Sequence, residues 1–181
     1  MLGLKRTSVL LEDHCTRWSA LFNDEKKILT SLLSEYIVSI EPVGSTAVPG
    51  LKAKPVIDIA IGLISFETIS DVLGVLVSNG YEHRPLNGSA GRYVFVRGPC
   101  ERRTHHLHVE EYGGEAWNDH IDFRNCLRRY PALCKQYETL KIRLSEAYPD
   151  DRDSYTSQKA DFIQQVLKNY RLTLKEPGEG E

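Results

Sequence analysis

The apolar positions of the chain change period several times, and each change marks an element. From Thr16 to Tyr36 they fall at Trp18, Leu21, Phe22, Ile28, Leu29, Leu32, Leu33 and Tyr36, with charge on the other side, which predicts an amphipathic helix. Ile37 to Val43 is rich in β-branched residues and predicts a strand. Residues 44–54 are a loop punctuated by Pro49-Gly50. Pro55 to Leu63 is nearly all apolar, as a central strand buried on both faces should be. Ser65 can cap a helix that runs to about Ser78 and ends at Asn79-Gly80.

Two further strands follow, RYVFVR at 92–97 and THHLHVEE at 104–111, joined through the turn sequence GPCERR. After Gly113-Gly114 the pattern becomes helical. Trp117–Tyr130, Pro131–Tyr148 and Ser154–Tyr170 predict three helices, with Pro131 suited to a first turn and Asp150, Asp151 and Asp153 suited to an N-terminus. The pattern as a whole predicts a mixed α/β (α+β) core: a sheet with flanking helices and a helical C-terminal part from about residue 115. A single domain over residues 1–173 is expected, with 174–181, free of apolar side chains after Leu174, as a disordered tail.

One position breaks the pattern. Asp58 lies inside PVIDIAI, where a carboxylate costs free energy unless it is paired, hydrogen-bonded or bound to a cation. Strand alternation puts Ile57, Ile59 and Ile61 on one face and Val56, Asp58 and Ala60 on the other. The isoleucine face is core, so Asp58 faces a cleft or a second layer. Alternation likewise puts His106, His108 and Glu110 on one face of the last strand. Imidazole and carboxylate every second residue suit a divalent metal, or a phosphate if the rings are protonated. His14, His83 and His120 stand alone in sequence and are expected to be structural or exposed.

Upstream of Asp58 the strand ends in Gly44-Ser45-Thr46, with Lys52 and Lys54 following. A glycine turn with free backbone N–H groups and hydroxyls can hold a phosphate, and equally can be a turn closed by local Ser/Thr hydrogen bonds. Arg92, Arg97, Arg102 and Arg103 cluster around the ribbon, and Arg124 and Arg128 share one helix face. Guanidinium groups match phosphates, which makes Arg103 a candidate phosphate ligand.

Composition narrows the partners. The 181 residues are 41% hydrophobic and 27% charged, with a net charge of −2, which argues against bulk attraction to nucleic acid or to a membrane surface. No apolar run is long enough to cross a bilayer, and the N-terminus turns acidic too early for a signal peptide. Cys15, Cys100, Cys126 and Cys134 form no CxxC pair, so neither structural zinc nor a disulfide framework is expected, and a reduced, cytoplasmic protein is the natural reading.

The segments RWSALFNDEKKIL, VGSTAVPGLKAKPVIDIAIG, RTHHLHV, DFRNCLRRYP, YETLKIRL and YPDDRDSYTSQKADFI, spanning about 17–163, resemble the GrpB-like family. That family has a nucleotidyltransferase-like fold and also occurs fused to dephospho-CoA kinase. The resemblance implies a phosphate-holding turn at Gly44, Ser45 and Thr46, with Lys54 and Arg103 nearby. It implies a metal-binding carboxylate at Asp58, with His106, His108 and Glu110 in place of the third carboxylate. The superfamily's usual second carboxylate falls at Ala60. Two functions therefore stand side by side. One is transfer of a nucleotidyl group from an NTP to an acceptor, using a divalent ion (Mg²⁺, Mn²⁺ or Zn²⁺). The other is a non-catalytic module that binds a nucleotide, CoA-like or other phosphorylated small molecule. A helical interaction surface in the C-terminal half is a third reading.

Overall fold

The computed structural model describes residues 2–85 and 91–175. Its elements in chain order are α1 (Arg17–Leu33), β1 (Ile37–Val43), β2 (Ile57–Leu63), α2 (Ile69–Ser78), β3 (Glu82–Arg84), β4 (Arg92–Arg97), β5 (His105–Glu111), α3 (Glu115–Arg129), α4 (Pro131–Ala147), α5 (Arg152–Ser157) and α6 (Ala160–Lys175). The strands form one mixed sheet in the order β1-β2-β5-β4-β3. Only the central pair, β2 and β5, runs parallel. This is the expected mixed α/β sheet with flanking helices.

The isoleucine face of β2 is core. Ile57, Ile59 and Ile61 pack with Leu107 and Val109 of β5 and Phe95 of β4, beneath Trp18, Phe22, Leu29 and Leu33 of α1 and Val72 and Leu76 of α2. Burial of these side chains, at roughly 1.5–3 kcal/mol each, is what makes β2 and β5 the centre of the sheet. A charge interrupts that apolar layer: Glu25 of α1 is buried, accepts from the Tyr81 hydroxyl at 2.6 Å and pairs with Arg97. On the other sheet face Trp117 of α3 packs on Val43 and Ala60. Gly62 makes room for it, since a Cβ there would lie 3.0 Å from the Trp117 ring and 2.9 Å from Tyr112. On the same face Asp58 lines a cleft.

Four sequence expectations need adjustment. The first helix ends at Leu33, and Tyr36 lies in the turn before β1. The three-residue edge strand β3 was not foreseen; it is too short to show a period. The helix expected over Ser154–Tyr170 is two helices broken near Gln158, the first capped by Asp151, whose side chain accepts from the Ser154 N–H at 3.0 Å. The tail expected from residue 174 begins inside α6, which runs to Lys175; residues 176–181 lie outside the described residues. No described helix is long and apolar enough to cross a membrane.

Candidate functional site: a cationic cleft around Asp58

The parallel pairing of β2 with β5 sets Asp58 opposite His106 and Ala60 opposite His108. Both imidazoles turn to the carboxylate. Asp58 Oδ1 lies 3.2 Å from His106 Nδ1 and 3.6 Å from His108 Nε2. Burial would raise the Asp58 pKa, but hydrogen bonds from His106 and His108 outweigh it and hold the group well below the usual carboxylate range. The His108 pKa is lowered as well: burial, then the neighbouring His120, bring it to about 4, which for an imidazole means a neutral ring at pH 7.

The turn after β1 closes over the same carboxylate. Gly44 adopts φ 68° and ψ −170°, a conformation open almost only to glycine. A Cβ at this position would fall 2.6 Å from Asp58 Oδ2. Glycine is therefore required twice, by its backbone and by the approach of the turn to Asp58. Ser45 and Thr46 follow in a single 3₁₀ turn and line the cleft. The Ser45 hydroxyl accepts from Lys141 Nζ at 3.1 Å.

The helices add the rest of the wall. The cavity of about 430 Å³ is lined by five cationic side chains, Lys54, Arg92, Lys141, Arg152 and Lys159, against the carboxylates Asp58 and Asp119. Asp119 is already engaged by Arg171 at 2.7 Å. The lysines rest on aromatic faces rather than on acids: Lys54 and Lys159 lie 5.1 and 4.2 Å from the Tyr155 ring centroid, and Lys141 lies 5.0 Å from that of Tyr137. Arg152 reaches the far side of His106, 3.2 Å from Nε2. Burial, with Arg152 and Lys159 beside it, lowers Lys54 to about 7. Burial, then Lys159, lowers Lys141 to about 7, and burial with the Arg152 charge lowers Lys159 to about 8. The cleft thus crowds positive charge that its own acids do not neutralise.

The structure brings Gly44, Ser45, Thr46, Lys54, Asp58, His106 and His108 into one cleft. It does not bring Arg103 there. That side chain is buried under the ribbon, donating to Glu82, to the Gly98 carbonyl and to Cys100 Sγ. Of the other ribbon arginines, Arg97 turns to Glu25 and Arg102 to the Leu2 carbonyl, while Arg92 lines the cleft. Arg124 binds Glu41 and the Pro42 carbonyl, and Arg128 binds the Ala47 carbonyl, so this pair braces the turn from behind. Lys52 pairs with Asp13 at the surface.

Nor are Asp58, His106, His108 and Glu110 gathered around one point. Glu110 lies deeper, bonded to His120 Nδ1 at 3.1 Å. Among the described residues the group whose ligand atoms all lie within 4.8 Å of one another is His108, Glu110 and His120. At the turn, Asp58 is the single carboxylate, and Glu41, which pairs with Ala60 across β1, is held by Arg124. With lysines and an arginine around it, this donor set does not fit two Mg²⁺ ions, which require several oxygen ligands.

Sequence reasoning missed Lys141, Arg152, Lys159 and His120. Lys141 carried a signal: it falls on the apolar stripe of α4 between Tyr137 and Leu144, where a lysine has no solvent. Arg152 and Lys159 carried none, because their convergence depends on the break between α5 and α6.

Comparison with known proteins agrees with this architecture. The family described as "GrpB protein" matches residues 8–169. The chain is 39% identical to the glutamate-rich protein GrpB of Alkalihalophilus pseudofirmus over 92% of its own length and 98% of that protein. It is 36% identical to the UPF0157 protein YqkA of Bacillus subtilis over 84% of this chain, but spans only 44% of that larger protein. The crystal structure of the conserved protein GrpB from Enterococcus faecalis superposes with a TM-score of 0.83 at 33% identity, covering 92% of this chain and all of that one. With matches of this length on both sequence and fold, the chain belongs to the GrpB family.

Proposed function

We propose that the cleft binds a small molecule through a polyphosphate group, a nucleoside triphosphate or a CoA-like ligand being the chemical class that fits. One observation carries this reading: Lys54, Lys141, Arg152 and Lys159 converge, with the Gly44–Thr46 turn, on a cavity in which Asp58 is the one carboxylate not held by an arginine outside it. An anion with several charges relieves the repulsion among these groups, and the turn contributes hydroxyls and backbone N–H donors. A cavity of about 430 Å³ suits a ligand of nucleotide size. Phe123, Ile163 and Leu167 line it too and supply apolar surface for the part of the ligand beyond the phosphates.

Nucleotidyl transfer from an NTP is the second reading. What favours it is the position of Asp58 against the Gly44 turn, where a carboxylate could hold an ion beside bound phosphates. The lone carboxylate weighs against it.

A thermal-shift matrix separates the two. Wild type and Asp58→Asn are melted with NTPs, CoA or inorganic triphosphate, each without metal and with Mg²⁺, Mn²⁺ or Zn²⁺. A ligand at a hundred times its Kd adds about 2.7 kcal/mol, or about 5–10 °C in Tm for a chain of this size. The expected result is a shift in wild type without metal that persists in Asp58→Asn. A shift that requires metal and disappears in Asp58→Asn moves the assignment to nucleotidyl transfer. No shift with any phosphate compound removes the phosphate reading altogether.

A further inference from the structure

Behind the phosphate cleft, at the junction of β4, β5 and α3, the side chain of Arg92 threads between two imidazoles and a carboxylate. Its Nη2 lies 2.8 Å from His108 Nδ1 and 3.2 Å from His120 Nε2, and its Nε lies 3.3 Å from Glu110 Oε1. The three facing atoms are therefore His108 Nδ1, His120 Nε2 and Glu110 Oε1, each presented as a lone pair to one point.

The remaining atom of each group is bonded elsewhere, in a way that fixes this presentation. His108 Nε2 faces Asp58 Oδ1 at 3.6 Å, and His120 Nδ1 donates to Glu110 Oε2 at 3.1 Å. Each imidazole thus turns one nitrogen to a carboxylate and offers the other inward, the arrangement by which outer carboxylates orient metal-binding histidines. The guanidinium satisfies the arrangement incompletely. Glu110 is fully buried, and its Oε1 has the ion pair with Arg92 Nε at 3.3 Å but no hydrogen bond, nor has the buried Nε one. A buried carboxylate oxygen without a hydrogen bond is costly, and it points at the place where two imidazole nitrogens also converge.

We infer that His108, Glu110 and His120 form a binding site for one divalent transition-metal ion, which Arg92 covers and vacates when the ion binds. Two nitrogens and one oxygen on one side, with the opposite side open toward the cleft, suit Zn²⁺, Co²⁺ or Fe²⁺ far better than Mg²⁺. Arg92 is about one-third exposed, so its head group has somewhere to go, and the cleft wall it belongs to is the phosphate-binding one. Loading the ion would free a guanidinium to face the cleft. The site stands on its own residues and does not depend on the identity of the cleft ligand.

The test uses the full chain, Co²⁺ as a spectroscopic probe and Zn²⁺ titration by calorimetry, with no phosphate compound present. Wild type is expected to bind one ion and to give visible Co²⁺ ligand-field bands. His120→Ala, at a partly exposed position, should weaken binding at least 10-fold and alter those bands. Arg92→Met, which removes the competing cation, should tighten binding at least 10-fold. Circular dichroism confirms that both variants fold. If wild type binds no ion, the inference is wrong, and binding by Arg92→Met alone would make Arg92 a permanent occupant. Binding unchanged in His120→Ala would also overturn it, placing the ion at Asp58 and His106 or on an exposed cysteine.

Discussion

Gly44→Ala is expected to lose both stability and ligand binding. The conformation at φ 68° and ψ −170° costs a non-glycine residue about 1–3 kcal/mol, which for a chain of this size lowers Tm by roughly 2–12 °C. The added methyl also meets Asp58 Oδ2 at 2.6 Å and its Cβ at 3.0 Å. Asp58 belongs to a central strand and cannot retreat, so the turn must lift away, carrying Ser45 and Thr46 with it. Phosphate-ligand affinity should then fall at least about 10-fold. Gly50→Ala is the control. Gly50 also has a positive φ, 77°, but a Cβ there meets nothing within 4 Å. It should lose stability from strain alone and keep its affinity. Melting curves with and without inorganic triphosphate read both quantities. If Gly44→Ala binds as wild type does, the turn is no part of the ligand site.

Removing a cleft lysine should have opposite effects on stability and binding. Lys159→Met and Lys54→Met keep most of the unbranched side chain beside Tyr155 while deleting a charge that the ligand-free cleft does not neutralise. A hydrogen bond to a charged phosphate contributes about 1.5–3 kcal/mol, so each variant should bind roughly 10- to 100-fold more weakly. The free protein, relieved of like-charge crowding and of a buried ammonium, should melt higher than wild type. Sites that sacrifice stability for function behave in this way. A lowered Tm with unchanged affinity would mark these lysines as structural.

The same crowding sets a pH signature. In the folded chain Lys54 and Lys141 hold their protons only to about pH 7 and Lys159 to about pH 8, against 10.5 for an ordinary lysine. Between those values and 10.5 the unfolded chain binds more protons than the folded one. Their contribution to stability therefore increases as pH rises through that window. Below pH 7 the full cost of burying the charges remains. Denaturant titrations of wild type and Lys159→Met from pH 6.5 to 9.5 should differ most at the acidic end, with Lys159→Met the more stable. Parallel curves would show that Lys159 holds its proton as a solvated lysine does.

What could be read from the sequence alone is what depends on local periodicity. The alternation of PVIDIAI assigned three isoleucines to the core and turned Asp58 to the other face, and the sheet bears this out. The same logic aligned His106 and His108, and the glycine before Ser45 marked the turn. These are properties of one strand or one turn, and a strand's side-chain direction follows from counting by two. Family resemblance added the expectation of a mixed sheet with flanking helices.

The partners across elements came only from the fold. Asp58 meets His106 because β2 and β5 are parallel neighbours in a particular register; 48 residues separate them, and nothing local sets that distance. Arg103, plausible as a phosphate ligand beside the histidine strand, is buried under the ribbon with Glu82. His120, isolated in the sequence, packs against His108 with ring centroids 4.6 Å apart because α3 lies on β5. Lys141 reaches the cleft from α4, Arg152 from α5 and Lys159 from the turn between α5 and α6. Sequence patterning fixes which side of an element is buried, since burial is decided residue by residue. Which charges share a cavity is decided by how the elements pack, and here packing assembled a cationic cleft around one acidic side chain.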